Sequence, residues 1–183
     1  MRRLNAILTP MIMIFFVIHM IMGALVLAGM ADGGSAGFLW VTRMLLVTAC
    51  MHMVISVILT VQTVRAGIKS GVSYIRLNRL FWTRRISGFA LILFLPLHAV
   101  FFHGNVRGSV YRLNLFDGVQ LCVSLLMVVS LLVHLSCNIR PLRIALGIED
   151  RRKICMDVLL VISVLLLLAG AAFVVYYIRW RTI

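Results

Sequence analysis

Four histidines are spaced so that each lies in a different long apolar segment of the chain. They are His19, His52, His98 and His134. Ionisable side chains are rare inside a bilayer and usually mark a functional site, because burying them in hydrocarbon is costly. A structural role, with the imidazole hydrogen-bonded to a neighbouring helix, explains a single such histidine as well as a functional role does. It explains four such histidines together poorly. Neutral imidazoles on facing helices can ligate a haem iron from both sides, and titratable chains can also carry protons across a membrane.

The acidic residues and the cysteines favour the first of these chemistries. All five acids lie at or near the ends of apolar segments: Asp32, Asp117, Glu149, Asp150 and Asp157. A proton relay through the middle of a bilayer usually includes carboxylates. Acids at the segment ends are poorly placed to form such a relay. The four cysteines show no CxxC or CxxCH spacing, which argues against zinc, an iron–sulfur cluster or c-type haem. The pattern therefore predicts two b-type haems, each with two histidine ligands.

The composition identifies the elements that must position these histidines. Of 183 residues, 63% are hydrophobic and only 13% are charged, which is far more apolar than a soluble domain. A helix needs about 20 apolar residues to cross the hydrocarbon core. We predict an all-α membrane protein, a single domain over residues 1–183 with five transmembrane helices: Ala6–Met30, Phe38–Val64, Ile86–His103, Gly118–Cys137 and Cys155–Ile178. Such a chain has no room for a soluble catalytic domain, so large catalytic machinery must belong to other subunits.

The net charge of +13 follows the rule for membrane insertion and not the pattern of a nucleic-acid interface. Basic residues cluster before the first segment, between the second and third, and between the fourth and fifth, where a basic turn is expected from Asn138, Arg140 and Pro141. These connections lie on one side, which the positive-inside rule assigns to the cytoplasm. We therefore expect a multi-pass protein of the cytoplasmic membrane with its N-terminus inside and its C-terminus outside.

Helix geometry gives the depths of the histidines. At 1.5 Å per residue, His98 lies about 20 Å from Arg85, whereas His134 lies only about 9 Å from Arg140. His98 is thus displaced towards the outer side and His134 towards the cytoplasm, which suits two stacked haems. Depth alone leaves the pairing of the four ligands open.

Two features together resemble a known family. The chain has five helices with one histidine in each of the first four, and RRISG (Arg84–Gly88) is followed ten residues later by a histidine. This pattern covers nearly the whole chain and resembles the dihaem cytochrome b anchor of succinate dehydrogenases and quinol:fumarate reductases. The resemblance implies that His19 and His98 hold a distal haem on the outer side, and that His52 and His134 hold a proximal haem near the cytoplasm. It also implies a non-catalytic subunit that passes electrons between menaquinone and cytoplasmic flavoprotein and iron–sulfur subunits.

Further residues complete the predicted cofactor sites. Guanidinium groups pair well with anionic haem propionates, so the candidates for these partners are Arg43, Arg84, Arg85 and Arg140. Ordinary anchoring at the membrane surface explains all of them equally well except Arg43, which lies inside an apolar segment and should have a partner. On the outer side, Asp32 could accept the proton released by a quinol, where the family carries a glutamate. His103 could line the same quinone pocket.

Two other readings stay open. The cytochrome b subunit of a hydrogenase or formate dehydrogenase also carries histidines on a helix bundle, and a small transporter or assembly protein would bind no haem. The basic connection over residues 64–85 could dock soluble subunits, or it could form an interfacial amphipathic helix.

Overall fold

The computed structural model describes residues 1–71, 79–107, 110–115 and 117–179. In these ranges the helices are α1 (Arg2–Leu27), α2 (Ala36–Lys69), α3 (Arg79–Phe101), α4 (Gly118–Leu146) and α5 (Arg152–Arg179). An antiparallel hairpin of β1 (Gly104–Arg107) and β2 (Val110–Leu113) connects α3 to α4, and a short 3-10 turn precedes α5. All five helices are long and apolar enough to cross a membrane, which confirms that expectation. The orientation of the bundle stays a prediction, and residues 72–78 of the docking connection lie outside the described ranges.

Polar residues set where two of the helices begin. Ser35 precedes α2, and its hydroxyl accepts a hydrogen bond from the Phe38 amide at 3.4 Å. Asp117 precedes α4 and accepts from the Gln120 amide at 2.9 Å, while the Gln120 side chain accepts from the Asp117 amide at 2.9 Å. This reciprocal pair satisfies amides that the first turn of a helix leaves without partners.

The expected basic turn after Cys137 is wrong, because α4 continues through Asn138 and Pro141 as far as Leu146. Proline is tolerated in membrane helices where neighbours satisfy the freed carbonyl, so it does not by itself end the helix. The helix stops at Gly147, whose φ of 69° lies in the left-handed region that glycine adopts readily. Hydropathy marks only the apolar part of a helix, so it missed this charged extension.

The helices pack in neighbouring pairs: α3 lies along α4, α1 along α2, and α5 along α4, while α1 also contacts α4 and α5. A buried cluster fills the space between α1, α4 and α5, consisting of Met20, Val128, Ile162, Leu166, Phe173 and Tyr176. The histidine-free helix α5 therefore contributes most of this core.

Most of the remaining apolar surface faces outward. Ile14 is 61% exposed, Leu93 is 60% exposed and Leu160 is 64% exposed. Hydroxyl groups on the helices bond back to their own backbone, as Ser124 does to the Gln120 carbonyl at 2.8 Å. An apolar exterior with internally satisfied polar groups is what a lipid environment requires.

The alternating course of the chain gives the bundle two different ends. The basic end contains the start of α1, the end of α2, the start of α3, the end of α4 and the start of α5. The hairpin end contains the 28–35 connection, the β-hairpin and the end of α5. The histidines lie between these two ends.

Candidate functional site: two pairs of histidines

His19 of α1 and His98 of α3 face one another. Their ring centroids are 6.2 Å apart and the ring planes are inclined at 75°. With a metal–imidazole bond of about 2.0 Å and about 1.1 Å from nitrogen to ring centre, two rings on opposite sides of one metal have centres about 6 Å apart. The observed separation of the ring centres is close to this value.

A hydroxyl on α2 sets the tautomer of His19. Nδ1 of His19 lies 3.2 Å from Oγ1 of Thr42, and the same hydroxyl donates its hydrogen to the Phe38 carbonyl at 2.9 Å. Because a hydroxyl has only one hydrogen, Thr42 must accept from the imidazole, and Nδ1 of His19 is the donor. The lone pair of the neutral ring is then on Nε2, the nitrogen left available for a metal.

The ring of His134 on α4 is held in the same way by α3. Its Nδ1 lies 3.2 Å from Oγ of Ser87, and that hydroxyl donates to the Arg84 carbonyl at 3.1 Å. Ser87 therefore accepts from Nδ1–H of His134, which again leaves the lone pair of the neutral ring on Nε2. Metal-bound histidines usually have such an outer hydrogen-bond partner, because it fixes the tautomer and the ring orientation.

Gly88 makes room for this ring. A Cβ atom at position 88 would lie 3.3 Å from Cε1 and 3.6 Å from Nδ1 of His134. The first separation is shorter than the 3.5–4.0 Å at which carbon atoms attract one another, so any larger residue would press on the imidazole. Ser87 and Gly88 thus give the RRISG sequence a local function, which is to seat His134 on α3.

His52 of α2 completes the second pair. It lies near enough to His134 for the charge on one ring to affect the other. Its Nε2 is 3.5 Å from Oγ of Ser56, at the limit of a hydrogen bond, and its Nδ1 is buried without a hydrogen-bond partner among the described residues. Nδ1 of His98 is buried and unpartnered in the same way. Buried polar atoms without partners are costly. The His98 ring lies beside that of His19, and His52 lies within electrostatic reach of His134.

The two pairs lie at different depths. On α3, Ser87 marks the level of His134 and precedes His98 by eleven residues, which is about 16 Å along a helix. On α2, Thr42 marks the level of His19 and precedes His52 by ten residues, or about 15 Å. Both helices therefore give nearly the same separation between the two pairs, and the His19 and His98 pair lies nearer the hairpin end.

Aromatic rings surround the pair at the hairpin end. Phe38 stacks on His19 at 5.5 Å with an interplanar angle of 10°. Phe102 lies 4.4 Å from the His98 ring, and Phe173 of α5 lies 6.4 Å from it. These rings restrict the rotation of both imidazoles and keep their surroundings apolar.

The four candidate arginines do not share one environment. Arg84 and Arg140 line a cavity at the basic end together with Arg3. Arg85 places its guanidinium 5.0 Å from the centre of the Phe81 ring, and its buried Nε has no hydrogen-bond partner among the described residues. Arg85 also lies near enough to His134 for its charge to act on that ring. Arg43 is exposed on α2, and no partner is seen for it among the described residues.

The residues predicted for a quinone site lie at the hairpin end, where their contacts are structural. Oδ1 of Asp32 accepts from the amides of Gly34 at 2.9 Å and Tyr111 at 3.0 Å, which ties the 28–35 connection to β2. His103 is exposed and donates from Nδ1 to the Val100 carbonyl. These contacts do not bring Asp32 and His103 together.

Sequence reasoning did not identify the positioning residues Thr42, Ser87 and Gly88. Ser87 and Gly88 lie inside the RRISG sequence (Arg84–Gly88), but only the helix packing shows that both face His134. Thr42 carried no signal of its own, since hydroxyl residues are common in apolar helices.

Within the described ranges, no three His, Cys, Asp or Glu side chains come together in a way that could hold a metal ion. Comparisons with protein-family models, with curated proteins and with solved structures give no match for this chain.

Proposed function

We propose that this chain is a dihaem b-type cytochrome of the cytoplasmic membrane. His19 and His98 would be the axial ligands of one haem, and His52 and His134 those of the other. The observation that carries the proposal is the pairing of the histidines across helices at two depths, with one ring of each pair fixed by a hydroxyl that leaves Nε2 free.

The residues around each pair would bind and orient the cofactor. Thr42 and Ser87 hold one imidazole of each pair, and Gly88 leaves space for the ring of His134. The unpartnered Nε and nearby position of Arg85 make it the best supported propionate partner. Haem supplies one-electron redox chemistry when it is bound. Two such sites about 15 Å apart would form a path for electrons between the two ends of the bundle.

By its resemblance to dihaem anchors, the chain would serve a succinate dehydrogenase or quinol:fumarate reductase. In this arrangement the basic end faces the cytoplasm and receives the flavoprotein and iron–sulfur subunits, consistent with the positive-inside rule. A quinone, menaquinone by the same resemblance, would react at the hairpin end. His103 lies there five residues beyond His98, and Asp32 provides an exposed carboxylate.

The test is a dithionite-reduced minus oxidised absorbance spectrum of the purified chain, with the haem measured per protein. We expect about two b-type haems per chain, one lost in His98→Ala and one in His134→Ala. His103→Ala is the matched control and should retain both haems. A folded chain made with an adequate haem supply that contains no haem would refute the proposal and favour the transporter or assembly reading.

A further inference from the structure

A cavity of about 550 Å³ opens at the basic end between three helices. Each helix contributes one arginine to its wall: Arg3 from α1, Arg84 from α3 and Arg140 from α4. Its volume is within the range of pockets that hold small organic ligands. Three arginines from separate helices around one cavity provide guanidinium groups that can pair with an anion.

The charge of this cavity is not neutralised by the part of the chain that the structure describes. Arg84 uses its Nε to donate to the Leu80 carbonyl at 3.2 Å, which leaves its two terminal nitrogens for other partners. No ion pair joins Arg3, Arg84 or Arg140 to a described acidic side chain. Like charges held close together repel one another, so a bound anion would relieve this repulsion.

The other walls of the cavity are apolar. Leu80 is 45% exposed and Ile144 is 54% exposed, and Pro141 and Ala145 also line the cavity. A small hydrated anion such as inorganic phosphate gains nothing from these surfaces. A molecule that joins an anionic group to an apolar chain satisfies both kinds of wall.

We propose that this cavity binds the phosphate group of an anionic phospholipid, with the glycerol and the first part of an acyl chain against the apolar walls. The basic end is where the positive-inside rule places the cytoplasmic leaflet, which is the leaflet that carries negative lipid charge. Basic pockets between membrane helices are known to bind such headgroups. Arg85, the proposed propionate partner, does not line this cavity, and the site does not depend on the proposed electron transfer.

The experiment is a lipid titration of the purified full-length chain in detergent, followed by native mass spectrometry. Phosphatidylglycerol is the anionic probe, phosphatidylcholine the neutral probe and inorganic phosphate the soluble probe. We expect phosphatidylglycerol to bind more tightly than phosphatidylcholine. Inorganic phosphate at about 10 mM, roughly ten-thousandfold above a dissociation constant of about 1 μM, should leave the lipid bound.

Matched arginine variants locate the binding. Arg3→Gln and Arg140→Gln should each weaken phosphatidylglycerol binding at least about tenfold, because each removes a direct guanidinium contact. Arg65→Gln removes the same charge from an exposed position at the basic end outside the cavity, and should weaken binding less than about fivefold. Thermal unfolding verifies that each variant is folded.

Three results would overturn the proposal. The first is equal weakening by the cavity variants and Arg65→Gln, which would indicate only diffuse attraction to the surface. The second is displacement of the lipid by inorganic phosphate, which would indicate a soluble anion as the ligand. The third is loss of haem from the cavity variants with unchanged lipid binding, which would assign these arginines to the propionates.

Discussion

Replacing Ser87 with alanine tests whether its hydroxyl positions His134 for a metal. Ser87 is 6% exposed, and its oxygen accepts a hydrogen bond from Nδ1 of His134. Removing it takes away one hydrogen bond of the His134 ring, which costs about 0.5–1.5 kcal/mol. Loss of an outer-shell partner of a metal ligand typically weakens metal binding by about 10–100-fold. We therefore expect Ser87→Ala to lower the affinity for one haem by that factor.

Ser124→Ala is the matched control. Ser124 is 1% exposed and also lies in an apolar helix, but its hydroxyl bonds only to the Gln120 carbonyl of its own helix. Removing that hydroxyl leaves no donor unsatisfied, so the haem affinity should not change. The assay is titration of haem into the haem-depleted protein, followed by absorbance, together with thermal unfolding. If Ser87→Ala and Ser124→Ala bind haem equally well, the hydroxyl does not position the ligand and the reasoning fails.

Three further substitutions test other contacts. Gly88→Ala places a methyl group 3.3 Å from His134, so it should displace the ring and shift the absorbance spectrum of one haem while leaving the other unchanged. Asp32→Ala removes the acceptor for two backbone amides, and amide hydrogen exchange should increase at Gly34 and Tyr111; unchanged exchange would contradict the structural role. Asp117→Ala removes the carboxylate that accepts from the Gln120 amide at the α4 cap and should lower the free energy of unfolding by about 1 kcal/mol, measured by denaturant titration against Asp150→Ala as an exposed control.

The haem experiment also separates the alternative functions. A haem-free transporter or assembly protein should keep its stability when His19 or His52 is replaced by a residue of similar volume. A dihaem cytochrome should lose one chromophore from each such variant. Distinguishing a succinate dehydrogenase anchor from a hydrogenase subunit requires the partner proteins, which copurification would identify.

The helices could be predicted because hydropathy is a property of each segment by itself. A run of about 20 apolar residues must be helical in a bilayer, since each of its backbone amides needs a partner within the chain. Hydropathy does not predict the structure of the charged segments at the ends of these apolar runs. The extension of α4 past Pro141 and the β-hairpin over Gly104–Leu113 depend on backbone bonds that hydropathy does not report.

The sequence by itself determined the number of membrane-type helices, the placing of one histidine in each of the first four, and the concentration of positive charge at one end. It did so because these features are local and periodic along the chain. Only the tertiary structure decided that His19 faces His98, that Ser87 and Gly88 contact His134, and that Arg3 joins Arg84 and Arg140 around one cavity. These residues are far apart in sequence, and their meeting depends on how each helix is rotated and which neighbours it packs against.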